Sequence, residues 1–346
     1  MNEISMIGLD LAKGMFQVHG IDAAGEVVVR RALRRGQMLG FFGGLAPCLI
    51  GMEACASAHH WARTLAGFGH EVRLLPPAHV KPFVKRGSKN DATDAAAICT
   101  AMASRDATFV PVKMPDQQAG LMLHRARRLL ARRLLVGQHT MLANAVRSHL
   151  AEFGLVEAQG AAGMGRLVAN VADAEDPRLP ELARQALAML VAQMQAAEAG
   201  IAALDLKIRA WARADEACRR LATIPGIGPL TASAIVATVG DVGRFPTGRA
   251  FAAWLGLVPS QHSSGGKTML GAITKMGDRY LRMLLVLGAT AMLRRREAGY
   301  GPWLAGLVAR KPARQASVAL ANKMARIVWA ILAHGGVYRR PEPTAG

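Results

Sequence analysis

The pattern of apolar and polar residues along the chain changes character near residue 112. Before that point, apolar runs typical of strands (MIGLDLAKGMFQVHGI, CLIGMEA and GHEVRLLPP) alternate with helical segments, and EVVVRRAL predicts a further strand after the Gly25 turn. The alanine-rich stretch NDATDAAAICTAMA predicts a helix. This alternation predicts an α/β domain over residues 1–112, with a central sheet covered by helices.

Beyond Pro115 we expect strands to stop and helices to continue. Residues 116–153 predict one long helix with leucines along one side. From Leu187 to Trp211 the apolar positions are spaced alternately three and four residues apart, which is a heptad seam. An antiparallel hairpin within one domain and a coiled coil between subunits share this pattern, so both interpretations stay open. We assign residues 113–216 to a connector of long, coiled-coil helices.

A mainly α-helical C-terminal domain is predicted over residues 217–337. The segment LATIPGIGPLTASAIVATVGD fits a helix-hairpin-helix, in which Gly226 and Gly228 let the backbone approach a phosphate. The N-terminus of the following helix would offer free N–H groups to the same phosphate. An ordinary turn between two helices is the alternative. Residues 338–346 are predicted to form a disordered tail.

The chain is strongly basic, which limits the classes of partner. Its 346 residues include 43 Lys and Arg against 24 Asp and Glu, giving a formal net charge of +19. Such an excess indicates a polyanionic partner, most commonly nucleic acid. The sequence shows no signal peptide, lipidation signal or apolar run of about 20 residues, so we expect a cytoplasmic protein with no membrane partner. The 4 cysteines lack the spacing of metal ligands.

Four carboxylates in the first third of the chain carry the most specific chemical signal. Asp10 lies within an apolar strand, Glu53 ends another, and Asp91 and Asp94 share one face at the start of a helix. Asp91 alone could be a helix cap, but an acid in an apolar strand is costly unless it is paired or bound to metal. Carboxylates are the hard oxygen ligands of Mg²⁺ or Mn²⁺. We therefore predict a divalent-metal site formed by all four.

The Ser-Ser-Gly-Gly-Lys segment at residues 263–267 is a second candidate centre. A serine that attacks a phosphodiester must lose its proton, and the charge that develops on the phosphoryl oxygens must be neutralised. Lys267 and metal-bound acids would meet the second need, and His262 is a candidate base. A flexible turn is the plain alternative. Further candidate nucleic-acid contacts lie in the basic loop before Asp91 and after the serine segment: Arg86, Lys89, Lys275, Arg279 and Arg282.

Several of these motifs together resemble one family of mobile-element proteins. GLDLAK, GMEACASAHHWA and KNDATDAAAI are similar to the acidic motifs of a DEDD-type RuvC-like domain. IPGIGPLTASAIVATVGD and GLVPSQHSSGGKTMLGAITKMGDRYLR are similar to the C-terminal domain of the same proteins. These proteins are the bridge-RNA-guided insertion-sequence transposases related to the Piv DNA invertases. The resemblance extends in the same domain order to about residue 335.

The resemblance implies a fold, a cofactor and partners. It implies an RNase H-like (RuvC-like) N-terminal domain, with Mg²⁺ held by the four acids named above. It also implies that Ser264 forms a covalent phosphoserine link to DNA, although adjacent Ser263 leaves the choice of hydroxyl open. The implied partners are DNA and a structured non-coding guide RNA. Because the acids and the serine lie in different domains, we also expect a homo-oligomer, either a dimer or a tetramer.

The sequence therefore predicts a bacterial transposase that excises and inserts its own element by Mg²⁺-dependent strand exchange. One alternative is a hydrolytic RuvC-like endonuclease, in which water attacks and the serine segment only binds phosphate. A covalent protein–DNA species distinguishes these two mechanisms. The other alternative is a non-enzymatic DNA-binding protein, which would keep all its function if the acids were replaced.

Overall fold

The structure is a computed structural model in which the chain forms two compact units, Met1–Pro115 and Asp116–Gly346. The predicted connector and the predicted C-terminal domain thus fall together in the second unit. The structure describes residues 3–12, 14–84, 91–105, 107–133, 139–264, 267–295, 300 and 302–340.

A 5-stranded sheet of mixed direction forms the centre of the first unit. The first three strands form an antiparallel meander, and the fourth and fifth continue the sheet in parallel with the first. The strands are β1 Met6–Leu11, β2 Met15–Ile21, β3 Val27–Arg34, β4 Leu49–Glu53 and β5 Glu71–Leu75. Their order across the sheet is β3-β2-β1-β4-β5.

The apolar run MIGLDLAKGMFQVHGI, predicted as a single strand, is instead a pair of strands. β1 and β2 pair antiparallel, with Met6 opposite Ile21 and Leu11 opposite Phe16. A strand of that whole length would extend about 50 Å at 3.3 Å per residue, far beyond the core of a small domain. Folding back lets both halves bury alternate residues, such as Leu9 and Phe16, in the same core.

Helices cover both faces of this sheet. The helices are α1 Met38–Gly43, α2 Ala58–Ala66, α3 Pro77–Val80 and α4 Asp91–Ala103, with short 3-10 turns at Arg35–Gln37 and Lys81–Phe83. One face of the sheet packs against α1 and α2 in a core that includes Ile7, Ile50 and Trp61. The other face packs against α4, whose Ile98 and Met102 are buried there.

The second unit is mainly helical. The predicted helix over residues 116–153 is described as α5 and α6, and residues 134–138 between them lie outside the described part of the chain. The helices are α5 Pro115–Arg133, α6 His139–Ala151, α7 Ala161–Ala172, α8 Glu181–Ala214, α9 Glu216–Leu221, α10 Pro229–Val239, α11 Gly248–Trp254, α12 Arg279–Arg295, α13 Pro302–Arg310 and α14 Ala313–His334.

The expectation that strands stop after Pro115 is wrong at one place. Strands β6 Pro259–Ser264 and β7 Lys267–Ile273 form an antiparallel hairpin. The sequence PSQHSS hides this strand because it has no apolar alternation, and Met269 and Leu270 of β7 are 69% and 66% exposed. The signal that was available is Gly-Gly between two short segments, a typical hairpin connection.

The heptad seam of α8 is largely buried within its own unit. Leu187 and Met194 pack into a cluster with α6 and α7, and Trp211 packs against the core built by the later helices. The structure thus supports the intramolecular interpretation for these seam positions. Leu182 and Met189, one heptad apart and outside the seam, are 81% and 69% exposed.

Helices α10, α12 and α14 build the core of the second unit. Ile235, Leu285 and Met324, one from each helix, are fully buried there.

α14 and α8 are long and apolar enough to cross a membrane by length and composition alone, and α14 lies in this core. Tyr338, the first residue of the predicted disordered tail, contacts the second unit, because its backbone N–H donates to Thr223 Oγ1 at 2.9 Å. Residues 341–346 lie outside the described part of the chain.

We predict that the contact between α4 and the sheet tolerates no side chain at Gly8. A Cβ at this position would lie 2.1 Å from the carbonyl oxygen of Ala95. Gly8→Ala should therefore lower the free energy of unfolding by about 1–3 kcal/mol, the usual range for an overpacked core. Gly40→Ala is the control, because a Cβ there meets no described atom within 4 Å and Gly40 lies in α1. It should leave stability unchanged or raise it by up to about 1 kcal/mol. Urea denaturation measures the free energy of unfolding of both variants. Equal values for Gly8→Ala and Gly40→Ala would contradict the packing argument.

Candidate active site

Two of the predicted acids meet at one edge of the sheet. β1 and β4 are parallel neighbours in which Leu9 lies opposite Met52. The next residues along the two strands are Asp10 and Glu53, at the carboxyl ends of adjacent strands. The sheet register therefore places these two acids side by side.

Both acids lie on the face of the sheet that α4 covers. Side chains alternate along a strand, so Asp10 shares a face with Gly8 and Glu53 shares a face with Gly51. α4 approaches both glycines closely: a Cβ on Gly51 would lie 2.5 Å from Met102 Cγ. Gly8 allows the backbone of α4 to lie directly on β1, and Gly51 makes room on β4 for the Met102 side chain of the same helix.

α4 contributes Asp94 to the same place. Its Oδ1 atom is buried and has no hydrogen-bond partner among the described groups. Burial raises the pKa of Glu53 above its ordinary value, and the charge of Asp94 raises it further. The two carboxylates thus repel each other in a poorly solvated position, which is the electrostatic environment that a bound cation would relieve.

The fourth predicted acid, Asp91, is the first residue of α4, three residues before Asp94. Its side chain, and the predicted contacts Arg86 and Lys89, lie outside the described residues. Within the described ranges, no three His, Cys, Asp or Glu side chains already stand close enough to hold a metal ion. The unpartnered oxygen of Asp94 and the raised pKa of Glu53 nevertheless fit a hard divalent cation, since all the donors are carboxylates.

The predicted serine lies at the end of the hairpin in the second unit. Ser264 is the last residue of β6 and is paired with Lys267, the first residue of β7, while Ser263 is paired with Thr268. The hairpin register therefore brings the serine and lysine positions next to each other. The side chains of residues 263–268 lie outside the described set. His262, one position before Ser263, is exposed.

Comparison with known proteins decides the family. The profile of the Transposase IS116/IS110/IS902 family matches residues 218–301, and a DEDD transposase profile of the IS110 group matches residues 7–154. The chain is 49% identical over 340 residues to a "Probable family 20 transposase" of Pseudomonas aeruginosa, which covers 97% of this chain and 99% of that protein. This chain belongs to the IS110/IS116 family of transposases.

Other relatives support the same assignment over the full length. The transposase for insertion sequence element IS1111A of Coxiella burnetii is 38% identical over 98% of this chain and 92% of its own length. The transposase for insertion sequence element IS1328 of Yersinia enterocolitica is 37% identical over 98% of this chain and 100% of its own length. The N-terminal DEDD domain of this transposase is thus RNase H-like, and it indicates divalent-metal dependence and DNA as a partner.

Three predicted nucleic-acid contacts of the transposase lie together. Lys275, Arg279 and Arg282 line one cavity of about 950 Å³. Arg282 also has a structural role, because its guanidinium donates to the carbonyl oxygens of Leu255 and Met276 at 3.0 and 2.8 Å. Lys275 holds a left-handed backbone conformation, with φ of 57°, which is unusual for a residue other than glycine.

The two predicted phosphate-binding glycines differ in their surroundings. Gly226, with φ of 86°, has a packing role: a Cβ there would lie 3.0 Å from the carbonyl oxygen of Gly288 in α12. Its conformational freedom thus serves the core of the second unit. Gly228 is exposed and precedes α10, and a Cβ there would meet no described atom within 4 Å. Gly228 therefore has open space around it, which Gly226 lacks.

Sequence reasoning missed a second group of basic residues in the transposase. A cavity of about 1760 Å³ beside the hairpin is lined by Trp303 and by cations from α11 and α14. The available signal was the segment WLAGLVARKPAR, in which an aromatic residue precedes several cations. The apolar character of the surrounding helices hid it.

We predict that the charge of Glu53 destabilises the metal-free protein. Because the folded state raises the pKa of Glu53, it holds the proton more tightly than the unfolded chain does. Stability from this group is complete below the unfolded pKa of about 4.3 and is lost as pH rises through the folded pKa. Without divalent metal, Glu53→Gln should therefore be more stable than wild type at pH 7.5, and the gain should vanish below about pH 4.3.

Urea denaturation across this pH range measures the effect. Glu26→Gln, at an exposed turn position, is the matched control and should change stability little at either pH. Millimolar Mg²⁺ should raise the melting temperature of the wild type and raise that of Glu53→Gln less. A variant that is less stable than wild type at pH 7.5 in the absence of metal would contradict the electrostatic argument.

Proposed function

We propose that this transposase excises and inserts its element by Mg²⁺-dependent strand exchange through a covalent phosphoserine intermediate. The observation that carries the proposal is the half-buried pair Glu53–Asp94, in which the Oδ1 atom of Asp94 is buried, beside Asp10 at the end of the sheet. A structured non-coding RNA, transcribed from the element, guides the choice of DNA. The protein acts on DNA in the bacterial cytoplasm.

The acids of the first unit hold the metal in this proposal. Asp10, Glu53 and Asp94 supply carboxylate oxygens, and Asp91 adds one from the same face of α4. Bound Mg²⁺ supplies positive charge to the phosphate at which substitution takes place. The carboxylates keep the ion at the end of the sheet, where the close approach of α4 limits access of water.

Ser264 is the proposed nucleophile. Its oxygen forms a bond to phosphorus, one P–O bond to a sugar breaks, the serine proton leaves to a base, and the departing sugar oxygen takes up a proton. His262 is the candidate base, and Lys267 neutralises charge on the phosphoryl oxygens. In this intermediate the ester to serine replaces the broken ester to the sugar, so phosphorus remains part of a phosphodiester. A sugar hydroxyl from another strand can then attack this phosphorus, release the serine and complete the exchange.

Separate replacement of the two neighbouring serines tests the nucleophile. Ser264→Ala should eliminate covalent protein–DNA adducts, detected by denaturing electrophoresis with a labelled element end, whereas Ser263→Ala should keep most of them. Asp10→Ala should also eliminate adducts while DNA affinity stays equal or increases, because a negative charge near the phosphate is removed.

The outcomes separate the competing mechanisms. Adducts that survive in Ser264→Ala and disappear in Ser263→Ala would transfer the role to Ser263. Cleavage by the wild type without any adduct would favour the hydrolytic endonuclease. Normal transposition by Asp10→Ala would favour a protein that only binds DNA.

Assembly into a homo-oligomer, a dimer or a tetramer, is part of the proposal. The acids and the serine belong to different compact units, so more than one chain can contribute to one reaction centre. Because the seam residues Leu187 and Met194 are already buried within the chain, we assign subunit contacts to exposed residues of α8 such as Leu182 and Met189.

The guide RNA supplies sequence information that the protein lacks. Contacts between cations and phosphates fix position without reading bases, so a net charge of +19 provides affinity and little discrimination. The sequence has no zinc-finger or basic-zipper motif that would read the major groove. Base pairing with a guide supplies the missing discrimination.

Recoding one loop of the RNA tests this step. The transposase is purified with the non-coding transcript that flanks its gene, and one loop is changed to match a new target. Insertion should move to the new target, as read by sequencing of junctions. An RNA-free protein that still inserts at the original site would contradict the guide.

A further inference from the structure

A broad groove of about 1760 Å³ lies beside the hairpin that carries Ser264. Pro259 of β6 and Leu270–Ile273 of β7 form one wall, and Trp303 and Leu307 of α13 form another. Residues of α14 and the start of α11 complete the lining. No candidate residue of the proposed reaction lies among its described lining residues.

The groove combines positive charge with an apolar surface. Of the lining residues that the structure describes, every formally charged one is a cation: Arg249, Lys311, Arg314, Lys323 and Arg326. Between these cations the lining is largely apolar, and Leu270 is 66% exposed. A polyanion that also presents flat apolar surface would complement both properties.

Trp303 provides an oriented aromatic ring in this groove. Its side chain is 38% exposed although it belongs to a packed helix. The Lys323 ammonium lies over the indole, 3.9 Å from the ring centroid, and so holds the ring against α14. Burial lowers the pKa of Lys323, and the charge of Arg326 lowers it further. These cations thus stand close together in a partly desolvated place, where an anion would relieve their repulsion.

These properties of the groove indicate whether a nucleic acid bound there is double-stranded or single-stranded. A duplex presents phosphates on its outside and keeps the faces of its bases stacked inside, so it needs cations but no exposed aromatic ring. A strand without a partner exposes base faces as well as phosphates, and proteins bind such strands with a basic groove and stacking aromatic residues. The groove has both the cations and the exposed aromatic ring that suit an unpaired strand.

We propose that this groove binds an unpaired stretch of nucleic acid, with a base stacked on Trp303 and phosphates held by the surrounding cations. The inference rests on the proposed action on nucleic acid but not on the phosphoserine step. β6 runs five residues from Pro259 in the groove wall to Ser264, a distance of about 17 Å at 3.3–3.4 Å per residue. The groove therefore keeps a separated strand within a few nucleotides of the serine position.

Binding measurements with the full-length protein test the groove without requiring catalysis. A labelled 20-nucleotide oligothymidylate and a 20-base-pair duplex are titrated in the absence of divalent metal and followed by fluorescence anisotropy. Trp303→Leu should bind the oligothymidylate about tenfold more weakly than the wild type, the usual effect of losing one stacked base. Trp303→Phe, the matched control, keeps an aromatic face and should stay within about threefold of wild type. Duplex affinity should be unchanged in both variants.

A second variant keeps the test valid if Trp303→Leu folds poorly. Lys311 is exposed at the rim, so Lys311→Gln should fold normally and should lower the dependence of log affinity on log salt by about 0.7 for the single strand. Melting temperatures and sedimentation are recorded for every variant.

Three results would overturn the proposal. The first is equal oligothymidylate affinity in wild type and both groove variants, Trp303→Leu and Lys311→Gln. The second is an equal loss of duplex affinity in these variants, which would indicate a general electrostatic surface. The third is a change of oligomeric state with unchanged oligothymidylate affinity, which would assign the groove to a second copy of the chain. Failure to form covalent adducts, with these binding differences intact, would contradict only the phosphoserine mechanism.

Discussion

The close contact of α4 with the central sheet is the constraint on which the candidate metal site depends. Gly8 leaves room for the backbone of α4, and Gly51 leaves room for the Met102 and Ile98 side chains of the same helix, so that Asp94 reaches the acids at the ends of β1 and β4. Any larger residue at Gly8 would strike the carbonyl oxygen of Ala95 and push the helix away. The packing of two small residues thus controls the electrostatics of a site that neither residue touches chemically.

The acid site combines two energetic costs that a metal ion would offset. Glu53 is partly desolvated and faces the charge of Asp94, and the buried Oδ1 of Asp94 has no hydrogen-bond partner among the described groups. An isolated protein gains nothing from such an arrangement, because like charges in a poorly solvated place lower its stability. Perturbed carboxylates at a strand end are more typical of functional sites than of structural ones. In a DEDD transposase domain, this cost is consistent with a divalent-metal centre.

The second unit positions its chemistry by backbone geometry. The Ser264–Lys267 pair closes a hairpin, and the segment that follows turns sharply through Lys275, whose φ is 57°. Gly277 makes this turn possible, since a Cβ there would lie 1.8 Å from the carbonyl oxygen of Trp254. The guanidinium of Arg282 ties the same turn to Leu255. The hairpin, the basic cavity and the Trp303 groove are adjacent parts of one surface of the second unit, because Ile273 of β7 and Arg314 line both cavities.

The sequence by itself determined the elements whose signal lies within a single segment. Apolar runs predict β4 and β5, and helical periodicity predicts α4 and α8. The candidate acids stand out because they are charged residues within apolar segments. The sequence also determined the basic character and, through its motifs, the family. Only the tertiary structure decided that the first apolar run folds back as two strands and that the seam of α8 is buried largely within its own unit. The groove of Trp303 likewise depends on contacts between residues far apart in the chain, whereas the hairpin of Ser264 pairs residues that are close in sequence. Periodicity reports which side of an element is apolar, but what covers that side is set by packing across the whole unit.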